Sequence, residues 1–240
     1  ERLRSMVKSE SLVQTAEEAV ELTSASACRE GVFTVVIAPD QLSLQIHESI
    51  GHPLELDRVF GVEANFSGTS FATVDKLNKL QYGSELLNVV TDPTEDGVLG
   101  GYGFDDDGVP AGSFPLITNG VLVGYLSGRE TASRIGKAST GNNRAAGWMH
   151  YPINRMSNTR LVPGKSSWDQ LLAGIDNGIF LKTNRSWSID DRRENFRFEC
   201  EMAREIKGGK LGQAFKNPSY SGRTLEFWRS CEAVGNAGLY

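Results

Sequence analysis

The segment QIHESIGHPLELD, residues 45–57, holds two of the chain's three histidines, His47 and His52. Glu48 follows the first, and Glu55 and Asp57 lie just beyond the second. Two imidazoles beside a carboxylate are the donor set of a hydrolytic metal centre. Neutral imidazoles suit Zn²⁺, with Mn²⁺ or Fe²⁺ as alternatives. A carboxylate there can take a proton from a water acidified by the ion and return it to a leaving amine. The spacing sets a condition. The common zinc-protease pattern places its histidines one helical turn apart, four residues. Here the interval is one residue longer, which on a regular helix leaves the rings roughly 140° apart. Both reach one ion only if the helix distorts. Gly51 and Pro53 flank His52, and proline pushes the residue before it out of the α region. A π-type last turn, or an unwinding assisted by the glycine, would bring the second histidine back over the first. Glu55 and Asp57 could then orient the imidazoles, or one could ligate. The plainer alternative is a helix end carrying a capping histidine and a solvated acid. His150, in GWMHYP, stands alone and reads as a packed or hydrogen-bonded histidine.

These residues need elements to hold them. Leu12, Ala16, Ala19, Val20 and Thr23 recur at helical spacing with glutamates opposite, which predicts an amphipathic helix over 11–27. GVFTVVIAP reads as a buried strand ended by Pro39. Asp40 is a candidate N-cap for a helix over about 41–51, whose apolar stripe is Leu42, Ile46 and Ile50. After residue 60 glycine punctuates short apolar runs. Asn119-Gly120 between two of them is a hairpin signal, and KGGK at 207–210 is a second turn. Short helices are expected near Arg129–Ile135 and Trp168–Asn177. FDDDG at 104–108 lacks the alternating ligands of a calcium loop and reads as a solvated turn. The predicted fold class is α+β. A helix–strand–helix element carries the metal motif, and a mainly antiparallel, β-rich domain follows it.

Composition bounds the function. The 240 residues are 39% hydrophobic and 23% charged, with a net charge of −5. That balance offers no broad basic surface for nucleic acid. The longest apolar run, Val32–Ala38, is far too short to span a bilayer, so no membrane segment is expected. Three scattered cysteines, Cys28, Cys200 and Cys231, suggest a reducing compartment, hence the cytoplasm. The chain starts at Glu1 and stops at GNAGLY, and both ends read as cut from a longer protein.

In this context QIHESIGHPLELDRVFGVEANFSGTSF, residues 45–71, closely resembles the HExxxH region of the TldD/PmbA metallopeptidases, on the TldD side. The resemblance continues through DDDGVPAGSFPLITNGVLVGYL, TGNNRAAG, PINRMSNTRLVPG, WSIDDRRENFRFECEMAREIKGGKLG and GRTLEFWRSCEAVG, and so covers essentially the whole chain. It implies a cytoplasmic zinc peptidase acting on peptides or unfolded polypeptide segments. It implies a dimer, with a PmbA/TldE-type partner subunit or with a second copy. Carried over by residue, His47 and His52 match the metal ligands and Glu48 the catalytic acid/base. The family's third ligand is a cysteine in an NCGKG-like segment. Cys28, Cys200 and Cys231 do not match it, so it is expected beyond residue 240. On the same footing, residues 1–58 are expected to close a central domain that includes the HExxxH helix. Residues 59–240 are expected to form a C-terminal β-rich domain, incomplete at its C-terminal end. Asn142, Asn143 and Arg144, with the polar run Asn154–Asn158, are candidates for lining a substrate channel. Two other functions compete with a peptidase: a non-catalytic peptide-binding or regulatory subunit, and a metal amidase of different substrate.

Overall fold

A computed structural model of the chain describes residues 9–239. The chain opens with helix α1 (Ser9–Ser24), strands β1 (Ser26–Ala27) and β2 (Thr34–Ile37), and helix α2 (Pro39–Ile46). A π turn (His47–Gly51) and a 3₁₀ turn (His52–Leu54) prolong α2, before α3 (Leu56–Val59) and α4 (Ala64–Ser67). Then come β3 (Val89–Thr91), β4 (Phe114–Thr118), β5 (Val121–Leu122), α5 (Arg129–Arg134), β6 (Asn143–Arg144), β7 (Ile153–Asn154) and β8 (Thr159–Leu161). Helix α6 (Trp168–Ala173), the long strands β9 (Asn177–Ile189) and β10 (Asn195–Lys207), β11 (Lys210–Lys216), β12 (Ser219–Arg223) and α7 (Thr224–Arg229) complete it. The class is α+β with antiparallel sheets, as the patterning predicts.

The chain folds as two compact units that interleave along the sequence. One takes the chain up to Gln41 with Trp168–Ser186 and Phe198–Tyr220; the other takes Leu42–Ser167, Trp187–Arg197 and the chain from Ser221 onward.

The first unit is built on the sheet ordered β1-β11-β10-β9-β2. β2 runs parallel to β9, and β10 and β11 form an antiparallel hairpin. The KGGK turn closes that hairpin with Gly208 and Gly209 both at positive φ, 51° and 73°. Helix α1 forms where its periodicity predicts, but its expected apolar stripe faces water: Leu12 is 57% and Val20 70% exposed. Charge decides its orientation. Lys182 donates to both oxygens of Glu18 at 2.8 Å, and Arg204 pairs with Glu21. Through these pairs the helix presents Glu18 and Glu21 to strands β9 and β10.

The second unit carries the metal motif. Its core gathers Ile46, Ile50, Leu54 and Leu56 against Leu87, Val89, Leu116, Leu122 and Leu126 from the sheet β5-β4-β3-β8. Asn119 and Gly120, at φ 47° and 77°, make the tight turn of the β4–β5 hairpin. Both central residues lie in the left-handed region, the hallmark of a type I′ turn, which matches the twist of the flanking strands.

A candidate metal centre

The distortion that the spacing requires is present. From His47 to Gly51 the backbone runs as a π turn, and the His52 N–H donates to the carbonyl of His47, five residues back. The imidazoles are thereby stacked edge to face, with centroids 4.6 Å apart. Gly51 does not unwind the helix, as it was free to do. Its φ and ψ stay helical, −58° and −62°. Its role is steric: a Cβ there would lie 1.7 Å from the Met156 sulfur.

Pro53 creates a vacancy in the hydrogen-bond ladder. It has no N–H to give the carbonyl four residues back, that of Ser49. The Tyr82 hydroxyl fills this role, donating to the Ser49 carbonyl at 2.6 Å. The Trp228 indole donates to the Ser49 hydroxyl at 2.9 Å, and that hydroxyl donates to the Gln45 carbonyl. The π turn thus rests on a buried, mutually satisfied polar network.

His47, Glu48 and His52 each present a donor atom, all within 4.8 Å of one another. His47 is exposed, His52 partly buried and Glu48 buried. Loss of solvation, and then the neighbouring His52 ring, holds His47 below its ordinary pKa, although Glu48 and Glu55 pull the other way. Its neutral form, the one that ligates a metal, is therefore favoured.

Glu55 is fully buried and sets the orientation of His52. Its Oε2 lies 3.0 Å from His52 Nδ1, with Arg58 Nη2 3.3 Å from the same nitrogen; the nearer carboxylate, an acceptor only, favours the tautomer protonated at Nδ1, which leaves Nε2 as the acceptor. The same oxygen accepts Arg58 Nη2 at 3.0 Å, and Oε1 accepts the Met156 N–H at 3.1 Å. Asp57 turns elsewhere and pairs with Asn154, accepting its N–H at 2.7 Å and donating its own to the Asn154 side chain. Burial raises the Asp57 carboxyl above its ordinary pKa. Of the two acids proposed to orient the histidines, only Glu55 contacts one.

The site opens into a cleft of about 460 Å³. Glu48, His52, Arg58, Arg155 and Arg193 line it, with Phe66 and Trp187 among its apolar members. Arg193 Nη1 is 3.6 Å from Glu48 Oε2. Burial, and then the charge of Arg58, lowers the Arg193 pKa. Arg155 grips Glu63 with two bonds of 2.6 and 3.0 Å. Arg155 falls in the polar run Asn154–Asn158 read from the sequence as channel lining, whereas Arg193, Arg58 and Glu63 were missed. Arg193 is 145 positions from Glu48, and no spacing rule connects them.

Asn142, Asn143 and Arg144, also proposed for the channel, are not among the residues that line this cleft. Asn142 is fully buried, and its amide reaches the Arg155 carbonyl and the Ser157 hydroxyl. Asn143 donates to Asp107 at 2.7 Å and accepts from Asn154. Arg144 is exposed and donates to the Met156 carbonyl at 3.3 Å. The FDDDG loop is a turn exposed at Phe104, Asp106 and Gly108, as expected, with one inward-facing acid. Asp105 is buried and accepts the N–H groups of Asp107, Val109 and Asn143, which latches β6 in place. His150 takes no part in the histidine cluster. None of the three cysteines does either. Cys200 is fully buried, Cys28 belongs to the first unit, and the Cys231 thiol lies 3.6 Å from the Ala233 carbonyl.

Among the described residues no helix is long and apolar enough to cross a membrane. Residues 30–238 match the family described as the PmbA/TldA metallopeptidase C-terminal domain. The sequence is 37% identical over 222 residues to a metalloprotease of Methanocaldococcus jannaschii, covering 92% of this chain and 47% of that protein. It is 32% identical over 206 residues to a metalloprotease TldD homolog of Buchnera aphidicola, covering 86% and 41%. TldE from Thermococcus kodakarensis shares the fold, with a TM-score of 0.75 at 19% identity, covering 92% of this chain and 49% of that one. The chain spans about half the length of the curated relatives it matches. The extent of these matches, and the motif they include, make the chain a member of the PmbA/TldD metallopeptidase family.

Proposed function

We propose that the full-length protein is a TldD-like, zinc-dependent peptidase of the cytoplasm that hydrolyses peptides or unfolded polypeptide segments. The observation that carries this reading is the convergence of His47, Glu48 and His52 within 4.8 Å, with His52 Nδ1 tied to Glu55. The donor set fits zinc: two imidazoles, one with a buried carboxylate behind its Nδ1 that favours a free Nε2. Zinc bound there would act as a Lewis acid on the scissile carbonyl and lower the pKa of a water. His47 and His52 supply its ligands. Glu48 accepts the proton of the attacking water and delivers it to the departing amine. For a third ligand we retain the cysteine expected beyond residue 240. Of the channel candidates, Arg155 lines the cleft and Arg144 is exposed beside the Met156 carbonyl, so these two are the ones we propose to contact substrate, while Asn142 and Asn143 serve the scaffold. A TldE-type subunit or a second copy is the partner we propose. A non-catalytic binding subunit is the competing reading, and it gives no reason to bury a carboxylate next to two candidate ligands.

The test uses the full-length protein with its partner. Replacing His47 or His52 by alanine should remove most of the zinc. Glu48→Gln should retain the zinc and lose about 10²–10⁴-fold in peptide turnover. Stoichiometric zinc in both histidine variants, or unchanged turnover in zinc-loaded Glu48→Gln, would overturn the assignment.

A further inference from the structure

A general base works only if its carboxylate is aimed. Glu48 sits in a π turn, where nothing in the backbone fixes its side chain. Arg193 is the charged group that meets it, with Nη1 3.6 Å from Oε2. Three features of Arg193 indicate that this placement is built in. First, its backbone is left-handed, φ 65°, a conformation that side-chain-bearing residues avoid and that tends to mark functional sites. The surroundings enforce it: the Arg193 N–H donates to Asp190 at 2.9 Å, and Thr224 donates to the Arg193 carbonyl at 2.6 Å. Second, the guanidinium is withdrawn from water, 12% exposed, with Nε buried and unpartnered. Its position is therefore not the one that best satisfies its own hydrogen bonds. Third, its Nη2 donates to the carbonyl of Ser67 at 2.7 Å, and Arg58 donates to that same carbonyl.

That shared carbonyl closes a circuit. Arg58 pairs with Glu55, and Glu55 fixes His52. Arg193 pairs with Glu48. The arginine that holds the ligand-orienting Glu55 and the arginine that faces the candidate base are thus anchored at one oxygen. The local sequence makes this possible. Gly68, at φ 82°, ends α4, and a Cβ on it would lie 2.3 Å from the Asp191 carbonyl. Its absence lets the turn 190–194 dock, with the N–H groups of Thr69 and Phe71 donating to Asp191 and Arg192.

We propose that Arg193 is the positioning residue for Glu48, holding its carboxylate toward the space between His47 and His52. This rests on the peptidase reading above. The test compares full-length wild type, Arg193→Ala, Arg193→Lys and Glu48→Gln, each loaded with zinc or with cobalt. Arg193→Ala should keep full metal stoichiometry and a KM close to wild type, while kcat falls about 10²-fold, the scale of a misplaced catalytic group. Added guanidine should restore a large part of kcat in Arg193→Ala and none in Glu48→Gln. Arg193→Lys should recover little, because one ammonium cannot reproduce the fork that spans Ser67 and Glu48. The visible spectrum of the cobalt form should shift in Arg193→Ala in the direction seen for Glu48→Gln. A raised KM with unchanged kcat would make Arg193 a substrate contact and overturn the proposal. So would an unchanged cobalt spectrum, or a failure of guanidine to rescue a folded variant. A wild type that binds no metal would instead defeat the peptidase reading itself, which separates the two failures.

Discussion

His52 Nδ1 and Glu55 Oε2 stand 3.0 Å apart, and Glu55 has no exposure to solvent. A buried carboxylate this close to an imidazole favours one tautomer and holds the ring in one orientation. The same carboxylate neutralises Arg58, which is 2% exposed. Glu55 therefore has two tasks, and two measurements read them.

Glu55→Gln keeps a hydrogen-bond acceptor but removes the charge. Zinc affinity should fall about 10–100-fold, the usual cost of removing a partner behind a ligand. Both substitutions leave Arg58 without its buried counter-charge, which should destabilise the fold by about 3–5 kcal/mol, and Glu55→Ala should lose about 1–3 kcal/mol more, because the Met156 N–H also loses its acceptor. Chelator competition reads the first effect, and denaturant unfolding of the metal-free protein reads the second. Equal zinc affinity in wild type and Glu55→Gln would show that Glu55 does not orient the ligand.

The π turn should depend on a hydroxyl 33 positions away. Tyr82→Phe leaves the Ser49 carbonyl buried without its donor, a loss of about 1–3 kcal/mol. The expected outcome is a lower unfolding free energy together with weaker zinc binding, since the turn aligns the histidines. A stability loss with intact zinc affinity would separate the network from the site.

Gly51→Ala should be costly through contact alone. The added methyl group overlaps the Met156 thioether, and overpacking of this kind costs about 1–3 kcal/mol. Pairing it with Met156→Ala, which vacates the space, should recover part of the loss, a positive coupling in a double-mutant cycle. Strict additivity of the two changes would contradict the steric account.

The three-residue motif, the need for a distorted turn and the hairpin at Asn119-Gly120 were all legible in the sequence, because each is a local rule about spacing or backbone conformation. The pairings that build the rest of the site were not, and for one reason. Arg155 meets Glu63 across 92 positions and Arg193 meets Glu48 across 145, and such pairs leave no periodic trace. The amphipathic pattern of α1 misled for a related reason. Glu18 and Glu21 look like a solvent face until their distant partners, Lys182 and Arg204, are placed. Asp105 alone of the acidic triplet turns inward, and this was not legible because its partner, the backbone of Asn143, lies in β6.

The Cys231 thiol is partly buried against the core of the second unit, and burial raises its pKa. A thiol held protonated is a poor metal ligand. Zinc affinity of the full-length protein should therefore be the same in wild type and Cys231→Ala by chelator competition. A large loss of zinc in that variant would make Cys231 the third ligand.

The Glu63–Arg155 pair predicts a specific dependence of stability on pH. Burial alone would raise the Glu63 carboxyl, but the hydrogen bonds from Arg155 and Ser67 prevail and hold it below its ordinary value. The folded state thus binds the Glu63 proton more weakly than the unfolded chain does. Its contribution to stability is complete above the unfolded pKa, about 4.3 for glutamate. It is lost as pH falls through the lower folded value, because the unfolded state then gains the proton first. Asp57, raised by burial, has the opposite sign, so a single-protein profile would mix the two. The difference between wild type and Glu63→Gln isolates Glu63. Urea unfolding of the metal-free proteins from pH 7 to pH 3 should show wild type ahead by a constant margin down to about pH 5, after which the margin shrinks steadily. A margin that stays constant to pH 3 would mean that the carboxylate of Glu63 gains nothing from Arg155.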